Sequence, residues 1–113
     1  MLPGEIYLAK FPFGDAPGMK LRPVLLLTGP IGSSRETLVA YISSVIPDHL
    51  LPSDLVLDPS LPPFRSTNLK AVSALRLHKL ATIHCVGLVR YLGRLEAEPM
   101  ATVKRKLAEL LGR

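Results

Sequence analysis

The stretch that most constrains the fold of this chain is Val24-Leu25-Leu26-Leu27, a run of aliphatic residues directly after Pro23. Strands with one solvent-exposed face alternate apolar and polar residues, so an unbroken run predicts a strand buried on both faces. Pro23 lacks an N–H, which favours the first position of that strand. Arg22 would then stand at the mouth of a core strand with its guanidinium held in one direction. The alternative is an ordinary solvated arginine at a strand end.

Length and composition predict one domain over residues 1–113. A chain of 113 residues can bury a core without cross-links, and its 11 prolines indicate short strands joined by turns. The single cysteine excludes an internal disulfide and fits a reducing cytosol. No apolar run approaches the roughly 18 residues of a membrane helix. We therefore expect a soluble, cytoplasmic protein that does not associate with membranes.

Positive charge is concentrated in one part of the chain. The net charge is +5, from 14 Lys and Arg against nine Asp and Glu. Every charged side chain between residues 59 and 95 is cationic: Arg65, Lys70, Arg76, Lys79, Arg90 and Arg94. Asp48, Asp54 and Asp58 form an acidic group before this segment. A segment of one sign predicts a polyanionic partner, the alternative being a basic surface with no nucleic acid.

Turn residues and apolar periodicity divide the chain into short strands and one helix. We predict strands over 5–11, 23–28, 37–45, 54–57, 69–80 and 89–95. Residues 12–19 are rich in turn formers and predict a loop that acts as a lid or as a plain connector. Pro99 and Gly112 bound an amphipathic helix. The expected fold is mainly β, a small barrel with a C-terminal helix packed on it.

The remaining polar side chains suit chemistry on RNA. The set comprises Lys20, Arg22, Ser43, Ser44, Arg76 and His78. RNA supplies its own nucleophile, the 2′-hydroxyl, so a protein need only position the phosphate, move protons and stabilise charge. Arginine matches phosphate oxygens with a fork of donors, and histidine titrates near neutral pH. We expect neither a metal nor a cofactor, since the sequence has no metal-ligand cluster and no phosphate-binding glycine loop.

Each of these residues also has a structural interpretation. Ser43 and Ser44 close an apolar strand, where hydroxyls often satisfy backbone groups. Alternation along 69–80 places Arg76 and His78 side by side on one face, where the histidine could simply be hydrogen-bonded on a strand. Without alignment for in-line attack, the same set would bind RNA and not cut it.

Six pieces of the chain, in order, resemble the MazF/PemK toxin family. They are Gly4-Glu5-Ile6, Phe11-Pro12-Phe13-Gly14-Asp15, Lys20-Leu21-Arg22-Pro23-Val24-Leu25, Ile42-Ser43-Ser44, Ser73-Ala74-Leu75-Arg76-Leu77-His78-Lys79-Leu80, and Leu92-Gly93-Arg94-Leu95 before a Met-containing helix. The resemblance covers nearly the whole chain. It implies an SH3-like β-barrel with a terminal helix, of the MazF/PemK/CcdB type, and usually a homodimer.

The resemblance also implies the toxin of a type II toxin–antitoxin system. Members are metal-independent endoribonucleases that cut single-stranded RNA at short sequences, leaving a 2′,3′-cyclic phosphate and a 5′-hydroxyl. The implied partners are single-stranded RNA, a cognate antitoxin, and operator DNA through that antitoxin.

Residue roles follow from the matching motif positions. Arg22 corresponds to the family arginine that acts on transition-state charge and as proton donor, and Ser43 to the hydroxyl residue that orients the phosphate; both are assigned as catalytic. The residues assigned to RNA binding are Lys20, Ser44, Arg76, His78 and Lys79.

The chain departs from the family pattern at two positions. Ser43 stands where threonine is common, which keeps the hydroxyl and loses the β-branch that restricts χ1. The acidic residue that many members carry shortly before the arginine of the fifth motif is absent, with Ser73 nearest that place. The identity of a general base therefore stays open, and His78 is the available substitute.

Two other functions fit the same composition. One is a non-catalytic SH3-like module that binds RNA or protein. The other is a toxin of the same fold that inhibits a DNA topoisomerase. Arg22 together with Ser43 favours the ribonuclease.

Overall fold

The protein folds into one antiparallel sheet with a C-terminal helix. This computed structural model describes residues 1–11 and 20–113, and the side chain of Phe11 is outside that description, as is the predicted lid or connector at 12–19. The strands are β1 (Glu5–Phe11), β2 (Lys20–Leu26), β3 (Glu36–Ser43), β4 (Asp54–Leu57), β5 (Ser73–His84) and β6 (Leu88–Arg94). Short 3-10 helices span Pro62–Thr67 and Cys85–Gly87, and helix α1 spans Ala97–Leu110.

The sheet order is β4-β5-β3-β2-β1-β6, and each neighbouring pair is antiparallel. Among the described residues β4 and β6 are the two edges, so these pairings do not close a barrel. The predicted fold class, mainly β with a C-terminal helix, is confirmed.

Strand β2 is buried on both faces, as its apolar run predicts. Val24, Leu25 and Leu26 have no exposed surface. Leu25 belongs to an apolar cluster that includes Val103 of α1, whereas Val24 and Leu26 belong to a second cluster. Burial of each such side chain contributes about 2 kcal/mol. Because β2 contributes buried side chains to both apolar clusters, it lies at the centre of the fold.

The predicted position of Pro23 at the start of its strand is wrong. Pro23 is the fourth residue of β2 and pairs with Leu8 of β1. Strand β3, however, pairs with β2 only from Val24 onward. The β3 side of residues 20–23 therefore lacks that strand partner, and a proline there removes no hydrogen bond between β2 and β3.

Strand β5 begins later than the sequence predicts and contains a bulge. It spans Ser73–His84, compared with the predicted 69–80. Tyr41 of β3 pairs with Arg76, but the preceding residue, Ala40, pairs with Leu80. Residues 77–79 therefore form the bulged part of β5. Such a bulge bends a strand and changes the direction of its side chains.

The C-terminal elements pack as predicted only in part. Helix α1 begins at Ala97, two residues before Pro99. Val103 is buried, and Met100 and Leu107 pack against the same apolar cluster. Leu110 at the end of the helix and Leu111 beyond it are 41% and 78% exposed, so the apolar face is uncovered only at its C-terminal end. Among the described residues, no helix is long and apolar enough to span a bilayer.

Gly93 of β6 permits a close backbone contact. A Cβ at this position would lie 2.7 Å from the carbonyl carbon of Thr67. Two further bonds join the same segments: Ser66 Oγ donates to the Arg94 carbonyl and Asn68 Nδ2 to the Leu92 carbonyl, both at 2.8 Å. These contacts hold the 3-10 helix Pro62–Thr67 against β6. A residue larger than glycine at position 93 would push the helix away from the strand.

Candidate functional site

The two faces of the sheet differ in chemistry. Residues paired across antiparallel strands share a face, and Tyr41 pairs with Val24 on one side and with Arg76 on the other, while Arg76 pairs with Asp54. By the two-residue period of strands, Arg22 and Ser43 lie on this face too. We call it the polar face. The opposite side, which packs against α1 through residues such as Leu25, Ile42 and Leu75, is the helix face.

Arg22 and Ser43 lie at the same end of the polar face. Val24 pairs with Tyr41 at the end of the β2–β3 ladder. Arg22 lies two residues before Val24 and Ser43 two residues after Tyr41, both just beyond that last pair. The side chains of both are half-buried. The family resemblance assigned these two residues to catalysis from separate motifs, and both lie at the end of the sheet where β2 and β3 stop pairing.

The Ser43 hydroxyl has local partners in this structure. It donates to the carbonyl of Val45 and accepts from the N–H of Val45, each at 3.1 Å. This is the backbone-satisfying role that the sequence offered as its alternative. To orient a phosphate, the hydroxyl would exchange the Val45 carbonyl for a phosphate oxygen. Ser44 is exposed and follows the last residue of β3.

Arg76 is held by a buried carboxylate. Its Nε donates to Oδ1 of Asp54 at 2.7 Å, and the side chain of Asp54 has no exposed surface. His78 lies beside them, with Nδ1 4.0 Å from the same oxygen. The predicted neighbourhood of Arg76 and His78 is confirmed. The sequence analysis missed the third member, because it placed Asp54 in an acidic group apart from the cations.

His78 is biased toward its neutral form. Burial, together with the charges of Arg76 and Lys79, lowers the pKa of His78 from its ordinary value, and the charge of Asp54 opposes them. The side chain remains 31% exposed. A neutral imidazole at neutral pH can accept a proton, which a permanent cation cannot do.

Two lysines complete the predicted set. Lys79 lies with Nζ 5.6 Å from the centre of the Tyr41 ring, a cation–π distance that places the ammonium on the polar face. Lys20 is exposed at the first position of β2.

A cleft of about 510 Å³ opens where β2 begins and β3 ends. It is lined by Leu8, Pro23, Ser44, Asn68, Leu69, Lys70, Ala71, Ser73, Arg90, Tyr91 and Leu92. Pro23 and Ser44 are the chain neighbours of Arg22 and Ser43, so the cleft lies at the same end of the sheet, and strand alternation assigns these two lining residues to the opposite face. The Tyr91 ring contacts that of Tyr7 edge to face, at 5.5 Å between centroids. Among the described residues, its charged lining consists of Lys70 and Arg90, which favours an anionic ligand with an apolar part.

The structure divides the predicted basic segment. Arg76 pairs with Asp54, and Arg94 lies 3.9 Å from Glu96. The remaining cations, none of which has an ion-pair partner within the described ranges, are Arg65, Lys70, Lys79 and Arg90. Within residues 1–11 and 20–113, no group of three His, Cys, Asp or Glu side chains is arranged to hold a metal ion.

Comparison with known proteins decides the family. The model of the PemK-like, MazF-like toxins of type II toxin–antitoxin systems matches residues 2–111. The chain belongs to this family. No curated protein matches the sequence of this chain.

Several solved structures share the fold of this chain. A toxin MazF-mt6 from Mycobacterium tuberculosis is 21% identical, with a TM-score of 0.72 and 95% of each chain covered. A mycobacterial endoribonuclease in complex with its cognate antitoxin is 18% identical, with a TM-score of 0.69, covering 99% of this chain and 95% of its own. MazF from Deinococcus radiodurans is 16% identical, with a TM-score of 0.66 over 99% of this chain and 96% of its own. At these identities the likeness concerns the fold.

Proposed function

We propose that this MazF-like toxin is an endoribonuclease that cleaves single-stranded mRNA at specific sequences without a metal. The observation that supports it most is the placement of Arg22 and Ser43 at one end of the polar face, in a chain whose family match spans residues 2–111. Because the family match covers nearly the whole chain, we propose that residues 1–113 form a single toxin domain.

The reaction begins with attack of the 2′-oxygen on the adjacent phosphorus. The neutral His78 imidazole accepts the 2′-hydroxyl proton, Arg22 stabilises the charge that develops on the phosphate oxygens, and Ser43 donates to one of them. The bond to the 5′-oxygen then breaks, and that oxygen takes up a proton from Arg22, which regains one from solvent. The products are a 2′,3′-cyclic phosphate and a 5′-hydroxyl. Lys20, Ser44, Arg76 and Lys79 contact the flanking phosphates.

The test is to incubate the purified protein with a long, unstructured RNA in EDTA and to map the ends. We expect discrete cuts with 2′,3′-cyclic phosphate termini, and a rate that falls at least about a hundredfold in Arg22→Ala, the usual effect of removing a transition-state donor. Arg105→Ala is the matched control, because Arg105 is an exposed residue of α1 that pairs with Glu109. Intact RNA would reject the ribonuclease, and an Arg22→Ala variant of wild-type rate would remove Arg22 from the mechanism.

A non-catalytic RNA-binding module is the second candidate. The contacts of the Ser43 hydroxyl with the backbone of Val45 favour it, because they occupy the group assigned to the phosphate. In the same experiment this module would retard RNA on a gel and leave it intact.

We infer that the partner is a cognate antitoxin and that the toxin acts in the cytoplasm as a homodimer. The support is that the structures sharing this fold include an endoribonuclease with its cognate antitoxin and a MazE–MazF complex from Deinococcus radiodurans. Operator DNA would be bound through the antitoxin. Light scattering of the toxin alone should give the mass of a dimer, and the mass of one chain would contradict that part.

A further inference from the structure

Asp54 is a charged residue in an otherwise apolar strand. It opens β4, whose remaining residues are Leu55, Val56 and Leu57. Both carboxylate oxygens have partners: Oδ2 accepts from the backbone N–H of Leu51 at 2.8 Å, and Oδ1 accepts from Nε of Arg76 at 2.7 Å. A buried ion pair is often no more stabilising than apolar residues of the same volume. Stability alone therefore does not explain this acid, and its geometry points to another role.

The pair leaves the outer part of the guanidinium available. Asp54 contacts Arg76 through Nε, and among the described residues the two terminal nitrogens of Arg76 make no hydrogen bond. The side chain of Arg76 is 16% exposed, so it reaches the surface from a fixed base. Arginine binds phosphate through two donors in one plane, which requires that the plane be oriented. A carboxylate on Nε supplies that orientation.

We propose that Asp54 is a positioning residue: it fixes Arg76 through Nε so that the terminal nitrogens bind a phosphate of single-stranded RNA on the polar face. The inference rests on the proposed function and extends it to a residue that touches no substrate. Because Arg76 of β5 pairs with Tyr41 of β3, two residues before Ser43, that phosphate would flank the one being cleaved.

Asp54 also acts on His78 through its charge. The charged groups around the imidazole are Arg76 and Lys79 from β5 and Asp54 from β4, and of these only Asp54 favours the protonated form. Removing the charge of Asp54 should therefore move the His78 titration, and with it the acidic limb of the pH–rate profile, to lower pH. The shift of the profile reports the lost charge of Asp54 beside His78, whereas the cleavage rate and the oligonucleotide affinity report the orientation of Arg76.

The decisive variant is Asp54→Asn. Its side chain keeps the shape of aspartate and an oxygen that can accept from the Leu51 N–H, but it has no charge and no second oxygen to accept from Nε of Arg76. Asp58→Asn is the matched control. Like Asp54, Asp58 accepts a hydrogen bond from a nearby backbone N–H, that of Ser60 at 3.0 Å, but it has no cationic partner in the described residues. Cleavage rates, their pH profiles, the titration of the histidines by NMR, and affinity for a non-cleavable deoxyoligonucleotide are measured on folded protein.

We expect Asp54→Asn to lower the cleavage rate at least about tenfold, to weaken oligonucleotide binding severalfold, and to move the acidic limb to lower pH, while Asp58→Asn behaves as wild type. Wild-type rate and pH profile in Asp54→Asn would overturn the proposal. If that variant does not fold, Arg76→Lys decides, since lysine keeps the charge for Asp54 but lacks the planar fork; a wild-type rate in it would equally overturn the proposal.

The same measurements distinguish a failure of the proposed ribonuclease function from a failure of the positioning role of Asp54. If the wild type cleaves no RNA but binds the oligonucleotide, the ribonuclease is rejected, and loss of binding in Asp54→Asn still supports the positioning role. Unchanged binding in that variant, or no binding by the wild type, overturns it.

Discussion

Leu75 and Arg76 are neighbours in β5, but Leu75 packs in an apolar core whereas Arg76 makes a directed polar contact. Leu75 has no exposed surface and packs on the helix face with Ile42 and Val103. Arg76 points to the polar face, where Asp54 holds it through one hydrogen bond of defined geometry. A packed leucine can be replaced by another apolar residue of similar volume at small cost. An arginine held through Nε cannot be replaced by lysine without losing that geometry. The comparison predicts that Leu75 contributes mainly to stability and Arg76 mainly to activity.

The largest effect on stability should come from Leu75→Ala on the helix face. Deleting a buried leucine side chain removes its transfer free energy and leaves a cavity, which together cost about 3 kcal/mol. Urea denaturation should show that loss, while the cleavage rate per folded molecule stays within about twofold of the wild type. Leu111→Ala is the control, because Leu111 is 78% exposed. A variant of wild-type stability would show that the helix face is not the core.

The division between the faces was largely predictable from local sequence. The apolar run of β2 predicted burial on both sides, and alternation in β5 predicted that Arg76 and His78 are neighbours; the structure confirms both. The first inference needs only the local apolar pattern; the second was reached from the two-residue period of a strand, although the bulge at 77–79 interrupts that period in the structure. The position of Pro23 within β2 was not predictable in this way, since it depends on where β3 stops pairing with β2.

Asp54 shows what local sequence omits. It is 22 residues from Arg76, and their contact follows from the register of β4 on β5. The bulge at 77–79 depends likewise on β3, against which β5 shifts its register. One signal was present in the sequence: an aspartate directly before Leu55-Val56-Leu57 in a strand must find a partner if it is buried. The partner's identity required the fold.

On the polar face, Ser43→Ala should separate activity from stability. Loss of the hydroxyl removes one donor to the phosphate, and we expect the cleavage rate to fall about tenfold, or about 1.4 kcal/mol in the barrier. Because the hydroxyl also bonds the backbone of Val45, a loss of stability of up to about 1 kcal/mol should accompany it. Ser43→Thr keeps the hydroxyl and should retain activity. Equal activity in Ser43→Ala would leave the serine with its backbone role only.

A smaller effect is expected for Lys79→Gln on the polar face. Each phosphate contact with single-stranded nucleic acid contributes about 0.7 to the slope of log affinity against log salt. Lys79→Gln should therefore weaken RNA binding a fewfold at moderate salt and reduce the slope by about that amount. Lys104→Gln, an exposed position on α1, should change neither. Fluorescence anisotropy over a salt series measures both, and identical slopes for the two variants would mean that RNA does not distinguish the faces.

The smallest effect concerns the stability of the fold as a function of pH. The pKa of His78 is lowered in the folded protein from its ordinary value of 6.5, so below about that pH the unfolded chain binds the proton more readily than the folded one. The stabilising contribution of neutral His78 is therefore complete above that pH and is lost as the pH falls toward the lowered pKa. His78→Gln should flatten the decline of unfolding free energy as the pH falls below about 6.5, and His49→Gln, at an exposed position, is the comparison variant. Because the imidazole is partly exposed, the change should be small against that of Leu75→Ala.

A steeper decline in His78→Gln would show that the protonated form is the one the fold stabilises, and proton acceptance from the 2′-hydroxyl would then need another group.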